Sequence, residues 1–222
     1  MVPIQGETLT IALPKGRLIG SVREILSAVG VECPAGLGDD RRLLVEDPAG
    51  RWRFLVARPV DVPTYVEYGA ADLGVVGKDV LLEEQRDVYE LYDLGVGECR
   101  FVVAAPQERA ERALSGRSGT VRVATKFPGV AARYFQHRGI HAEVIKLYGN
   151  VELAPLVGLA EVIVDLVSTG QTLKQNGLTA VEEIAKCSAR LIANPVSYRI
   201  RGPELATLLE RVDAFCRERG LQ

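Results

Sequence analysis

The stretch Ala160-Glu161-Val162-Ile163-Val164-Asp165-Leu166-Val167-Ser168-Thr169-Gly170-Gln171-Thr172-Leu173 decides how the rest of the chain is read. Glu161 to Leu166 reads as a strand whose apolar run Val162-Ile163-Val164 ends in the carboxylate of Asp165, the pattern of a buried strand. A turn of small and hydroxylic residues follows. A short helix comes next and closes at Asn176-Gly177, where glycine suits the position after the last turn. Strand, turn and helix in immediate succession are the unit of an α/β fold.

The same alternation extends in both directions. Toward the N-terminus, Ala142 to Leu147 reads as a strand and Val151 to Leu159 as a helix. Thr120 to Thr125 is a strand followed by a helix starting at Pro128, a good first-turn residue. Gln107 to Leu114 reads as helical. Earlier still, Thr8 to Leu13 is a strand, and Leu18, Val22, Ile25, Leu26 and Val29 recur at helical spacing before Gly30. Arg41 to Asp47 and Arg51 to Arg58 form paired strands around Pro48-Ala49-Gly50. Val62 to Tyr68 is a helix stopped by Gly69, Asp72 to Val76 a buried strand, and Asp79 to Gln85 a helix. Val88 to Leu94 and Arg100 to Ala104 are strands. Toward the C-terminus, Ala180 to Lys186 and Arg190 to Ala193 read as returning strands. The closing helix after Pro203 presents Leu205, Leu208, Leu209, Val212 and Phe215 on one face. The pattern predicts mostly parallel sheets covered by helices, in two units with a ligand cleft between them.

Composition bounds the function. The 222 residues are 47% hydrophobic and 25% charged, as in a folded globular protein. Lys and Arg number 27 against 29 Asp and Glu, so no basic excess favours a nucleic-acid surface. No apolar run is long enough to span a bilayer, and Met1 to Gly6 lacks the stages of a signal peptide. These features predict a cytoplasmic protein without nucleic-acid or membrane partners. Cys33, Cys99, Cys187 and Cys216 are scattered, without a Cys-x-x-Cys pair, and read as buried apolar residues. His137 and His141 flank Gly139 with no acidic or cysteine cluster, and read as surface residues.

Three segments carry anion chemistry. In the first, the turn after Asp165 aims backbone N–H groups outward at a helix start. Ser168, Thr169 and Thr172 add hydroxyl donors, and Gly170 permits close approach. The loop lacks the Gly-x-x-x-x-Gly-Lys pattern of a Walker loop. Asp165 would repel phosphate but suits sugar hydroxyls, so a phosphorylated ribose would use both parts. The same residues equally suit a plain helix cap with Asp165 supporting the turn. In the second segment, Leu13-Pro14-Lys15-Gly16-Arg17-Leu18, two cations flank a glycine between strand and helix, as in an anion site or a solvated loop. Arg41 and Arg42 form another basic pair. The third, Gly69 to Asp79, combines small residues with Asp72 and Lys78 and favours close backbone packing.

The run Glu152-Leu153-Ala154-Pro155-Leu156-Val157-Gly158-Leu159-Ala160, continued by Val164-Asp165-Leu166 and Ser168 to Leu173, closely resembles the signature of ATP phosphoribosyltransferases. Leu13 to Arg17, Asp61 to Glu67, Gly69 to Asp79 and Lys146 to Gly149 match the family in the same order. The resemblance implies a two-lobed fold like that of type II periplasmic binding proteins. Domain I would comprise 1–98 with 188–222, and domain II 99–187. It implies transfer of phosphoribose from 5-phosphoribosyl 1-diphosphate to N1 of ATP, with Mg²⁺ as cofactor, carried mainly on substrate phosphates. It maps phosphoribosyl-diphosphate binding onto Glu152, Asp165, Val167, Ser168, Thr169, Gly170, Gln171 and Thr172. ATP and diphosphate binding map onto Lys15, Gly16, Arg17, Arg41, Asp72 and Lys78, with Arg17 and Arg41 catalytic and Arg42 able to exchange with Arg41. The chain resembles the family's short form. That form works as a dimeric catalytic subunit with a histidyl-tRNA-synthetase-like regulatory subunit in a hetero-octamer.

Overall fold

The computed structural model describes residues 8–38, 42–114 and 119–221. These divide into two compact units, one within Met1–Gly97 and Ser188–Gln222, the other Glu98–Cys187. The chain opens in the first unit with β1 (Leu9–Pro14), α1 (Leu18–Ala28), β2 (Leu44–Glu46), β3 (Trp52–Ala57), α2 (Val62–Glu67), β4 (Leu73–Gly77), α3 (Lys78–Glu84) and β5 (Tyr89–Asp93). The second unit follows with β6 (Cys99–Pro106), β7 (Val121–Thr125), α4 (Pro128–His137), β8 (Ala142–Lys146), α5 (Leu153–Leu156), β9 (Val162–Val167), α6 (Gln171–Gln175) and β10 (Leu178–Cys187). The first unit is completed by β11 (Ala189–Ala193), α7 (Pro195–Ile200) and α8 (Gly202–Glu218).

Both sheets are mixed. The first runs β2-β3-β1-β4-β11-β5 and the second β10-β6-β9-β7-β8. β1 lies parallel between β3 and β4, and β7 lies parallel between β8 and β9. The remaining pairings are antiparallel. The strand–helix alternation predicts more parallel pairing than this. A parallel neighbour needs a crossover long enough for a helix. β10 and β11 are separated only by Ser188, and each joins its sheet antiparallel to its neighbours.

In the first unit the pleat of β1 sorts its side chains into two cores. Leu9, Ile11 and Leu13 pack with Val22, Ile25 and Leu26 of α1 and with Leu205, Leu208 and Val212 of α8. Ala12 faces the other side, with Val62 and Val66 of α2, Val76 and Ile192. Each fully buried Leu, Ile or Val contributes about 1.5–3 kcal/mol, which is why a short helix such as α2 is stable here. Buried polar links reinforce this packing. The Asn194 carboxamide oxygen accepts from the N–H groups of Val196 (2.9 Å) and Ser197 (3.0 Å). Its Nδ2 donates to the carbonyls of Val66 (2.8 Å) and Glu67 (3.1 Å).

Several boundaries differ from expectation. Helix α7 has no counterpart in the periodicity, although Asn194-Pro195 is a cap followed by a first-turn proline. The predicted helix over Val151 to Leu159 is regular only at Leu153–Leu156, bounded by left-handed residues at Asn150 (φ +48°) and Gly158 (φ +74°), with Pro155 in its short first turn. The predicted helix at Gln107 to Leu114 is a 3-10 turn over Gln107–Arg112. Cys99 and Cys187, distant in sequence, are register partners on β6 and β10. Cys187 and Cys216 are buried, whereas Cys33 and Cys99 are half-buried. Burial pushes the Cys33 thiol up to about 11, partly offset by Arg23.

A candidate phosphoribose site at the end of strand β9

The second unit holds an open pocket lined by Glu152, Asp165, Ser168, Thr169, Gly170 and Thr172, with Leu166, Val167 and Leu173 completing its wall. Its volume is about 110 Å³. Two buried side chains fix its rim. Val167, the last residue of β9, is 7% exposed, and Leu173 in α6 is 4% exposed. Both belong to the core formed with Val102, Ala104 and Ile163. Between these anchors Ser168, Thr169, Gln171 and Thr172 are exposed. The loop is therefore held at its ends while its hydroxyls and amides face solvent.

Gly170 makes the turn possible. It stands at the helix cap with φ +76°, the left-handed region that L residues enter at a cost. A Cβ there would meet only Val167 Cγ1 at 3.7 Å, so the requirement lies in the backbone and not in space. The Gln171 N–H reaches Thr169 Oγ1 at 3.5 Å, too long for a strong bond. The Thr169 hydroxyl is thus held weakly, and the first-turn amides of α6 have no intrahelical acceptors. Hydroxyls and amides of this kind accommodate an anion.

The carboxylates occupy the other wall. Asp165 is half-buried on β9, opposite Val102 of β6. Burial raises its carboxyl above the usual 3.8, the Leu166 N–H opposes this, Glu152 adds to the rise, and Lys126 lowers it. Glu152 arrives from a different element. Asn150 takes a left-handed turn (φ +48°), and Leu153 N–H bonds its carbonyl at 3.1 Å, leaving Glu152 as the cap of α5. A pair of acceptor-only carboxylates beside an anion cradle matches a ligand carrying both hydroxyls and phosphate.

All eight sequence-predicted residues for a phosphoribosyl ligand fall within one segment of the second unit, and all but Gln171 line the pocket. The first-unit candidates are arranged differently. Lys15, Gly16 and Arg17 are exposed on the loop between β1 and α1, where Gly16 has φ +108°. The loop is held at its start by Lys15 N–H bonding the Ala57 carbonyl at 2.8 Å. Asp72 is engaged by its own fold. Its Oδ2 accepts from Thr10 N–H (2.8 Å) and its Oδ1 from the Ser197 hydroxyl (2.7 Å). Lys78 pairs with Glu90, which also faces Arg190 at 3.4 Å. Arg41 lies outside the described residues; Arg42 is exposed. Lys126 and Thr125 stand beside this pocket without a motif that marks them, although a strand followed by Lys-Phe-Pro at a helix start is a position where loops carry binding residues.

Fold and pocket together define an α/β protein of the periplasmic-binding-protein type with a candidate anion site at the end of a strand. The fold resemblance includes the periplasmic aliphatic sulphonate binding protein SsuA from Escherichia coli. That similarity has a TM-score of 0.59 at 14% identity, over 97% of this chain and 75% of that one. The sequence is more specific. The profile of the ATP phosphoribosyltransferase family matches residues 58–214. The ATP phosphoribosyltransferase of Moorella thermoacetica is 56% identical over 91% of this chain and 90% of its own. That of Syntrophotalea carbinolica is 49% identical over 95% and 96%. A chain of the ATP phosphoribosyl transferase (HisG:HisZ) complex from Thermotoga maritima superposes with a TM-score of 0.80 at 36% identity, covering 95% of this chain and all of that one. The chain belongs to the ATP phosphoribosyltransferase family.

Proposed function

We propose that this chain transfers the 5-phosphoribosyl group from 5-phosphoribosyl 1-diphosphate to N1 of ATP. The products are phosphoribosyl-ATP and pyrophosphate, the first step of histidine biosynthesis. The observation carrying this reading is the pocket in which the Ser168–Thr172 loop and the Glu152/Asp165 pair stand together, in a chain of this family. The 5-phosphate fits the loop hydroxyls and amides, and the ribose hydroxyls donate to the carboxylates. Distributing one ligand across both parts fixes its orientation, which converts binding energy into a favourable attack geometry.

Breaking the C1–O bond builds positive charge on the sugar and negative charge on the departing diphosphate. The adenine N1 lone pair forms the new bond as the old one breaks, so no protein nucleophile is needed. Arg17, exposed on its loop, is suited to the diphosphate and ATP phosphates because a guanidinium stays cationic and grips two oxygens. Arg41 joins it in this reading, with Lys15 and Gly16 shaping the anion loop. Glu152 and Asp165, the carboxylates of the pocket, are hard oxygen donors that would hold Mg²⁺, which when bound would neutralise charge on phosphoryl oxygens. Asp72 and Lys78 act by holding β4 and its neighbours, given their hydrogen bonds.

The Thermotoga complex supports a HisZ-type partner for this chain as well, and we extend that to a hetero-octamer built on a catalytic dimer. Among the described residues no helix is long and apolar enough to cross a membrane; a cytoplasmic site of action follows from the biosynthetic role. Acceptor choice tests the reading against two others. Thermal-shift titrations with phosphoribosyl diphosphate, ATP, adenine, amino acids and sulphonates should give stabilisation by the first two. Stabilisation by sulphonates or amino acids alone would indicate a binding protein. Phosphoribosyl transfer to free adenine but not to ATP would indicate a different transferase.

A further inference from the structure

The pocket lining contains two carboxylates and no Lys or Arg, yet its proposed ligand carries several negative charges. The balancing cation enters from the neighbouring strand. β7 and β9 are parallel in register, with Thr125 opposite Val164, so the next residues, Lys126 and Asp165, emerge side by side. The junction is rigidly built. Thr125 is fully buried; its hydroxyl donates to the Val164 carbonyl at 2.7 Å and accepts from the Phe127 N–H at 2.9 Å. The Phe127 ring packs edge-on against Phe101, centroids 4.9 Å apart. Lys126 alone in this short run is exposed, and it interacts electrostatically with Asp165.

Sheet order tells which part of the ligand it meets. β9 lies between β6 and β7. The Ser168–Thr172 loop leads to α6, which packs against β10 on the β6 side. Lys126 stands on the β7 side, so Asp165 separates it from the loop. A ribose whose 5-phosphate occupies the loop and whose hydroxyls meet Asp165 directs its C1 substituent toward Lys126.

We propose that Lys126 is a substrate-binding residue that grips the diphosphate on ribose C1, its ammonium turning from beside Asp165 toward phosphoryl oxygens in the complex. This inference rests on the phosphoribosyl reading of the pocket. A compact ammonium on a flexible stem can make that exchange, and a charge-assisted bond of this kind corresponds to about a ten- to hundredfold effect on affinity.

Calorimetric titration of wild type, K126M and K126R with phosphoribosyl diphosphate and with ribose 5-phosphate tests it. K126M should lose about ten- to hundredfold for the diphosphate ligand and under about twofold for ribose 5-phosphate. K126R should recover most of the loss. In turnover, the KM for phosphoribosyl diphosphate should rise while the KM for ATP stays unchanged. Equal losses for both ligands, or no loss for either, would overturn the assignment while leaving the function intact. Wild-type protein that binds neither ligand would overturn the phosphoribosyl reading itself.

Discussion

Asp165→Asn separates what the fold wants from what the ligand wants. Burial raises the Asp165 carboxyl above 3.8, and Glu152 raises it further against the Leu166 N–H and Lys126. The folded-state value exceeds the unfolded one, so the protonated form favours the fold. That stabilisation is present below 3.8 and is lost as pH rises through the raised value. At neutral pH the ionised carboxylate is therefore a burden on stability. Asn has the same shape and no charge, and its amide oxygen can still accept from the Leu166 N–H. D165N should melt at or above the wild-type temperature at pH 7, with the difference narrowing as acid protonates the wild-type carboxyl. Binding should move the other way. A ribose hydroxyl donating to a carboxylate contributes about 1.5–3 kcal/mol, against about 0.5–1.5 to a neutral acceptor. The net loss of about 1–2 kcal/mol corresponds to about 5- to 30-fold in phosphoribosyl-diphosphate affinity. Parallel melting curves and calorimetric titrations read both quantities. D165N that binds as tightly as wild type would exclude a ribose contact at Asp165, and D165N that melts many degrees lower at neutral pH would exclude a destabilising carboxylate there.

Other substitutions probe separate parts of the account. Thr169→Val removes a hydroxyl held only by a 3.5 Å contact; titration should show about a five- to tenfold weaker affinity for phosphoribosyl diphosphate with the melting temperature nearly unchanged. Arg17→Ala should lower kcat about a hundredfold without altering the melting temperature, because the side chain is exposed. Asn194→Ala deletes four hydrogen bonds around a residue 6% exposed; chemical denaturation should show a loss of about 2–4 kcal/mol, with the pocket of the second unit still binding its ligand.

The legible parts of this protein are those in which one local segment carries the information. The Ser168–Thr172 loop is such a case: strand, turn, Gly170 and short helix are contiguous, and their residues line one pocket. Glu152 joins that pocket through the turn at Asn150, which spacing alone does not reveal; only the family signature couples it to Asp165. Lys126 is harder still, since its place beside Asp165 depends on the pairing of β7 with β9. The strand–helix alternation shows an α/β fold but not its pairing directions, because sheet order is a long-range property. Asp72 and Lys78 illustrate the converse limit. Both are polar residues in a small-residue segment of the kind that lines binding sites, and both are engaged by the fold, Asp72 by Ser197 from a distant segment and Lys78 by Glu90 of the following strand.

The most direct measurement is product formation by the purified chain with ATP, phosphoribosyl diphosphate and Mg²⁺, alone and with a HisZ-type partner, followed by pyrophosphate release and product mass and linkage. One pyrophosphate should be released per phosphoribosyl-ATP, with the new bond between ribose C1 and adenine N1. Folded protein that yields no such product under either condition would contradict the proposed reaction.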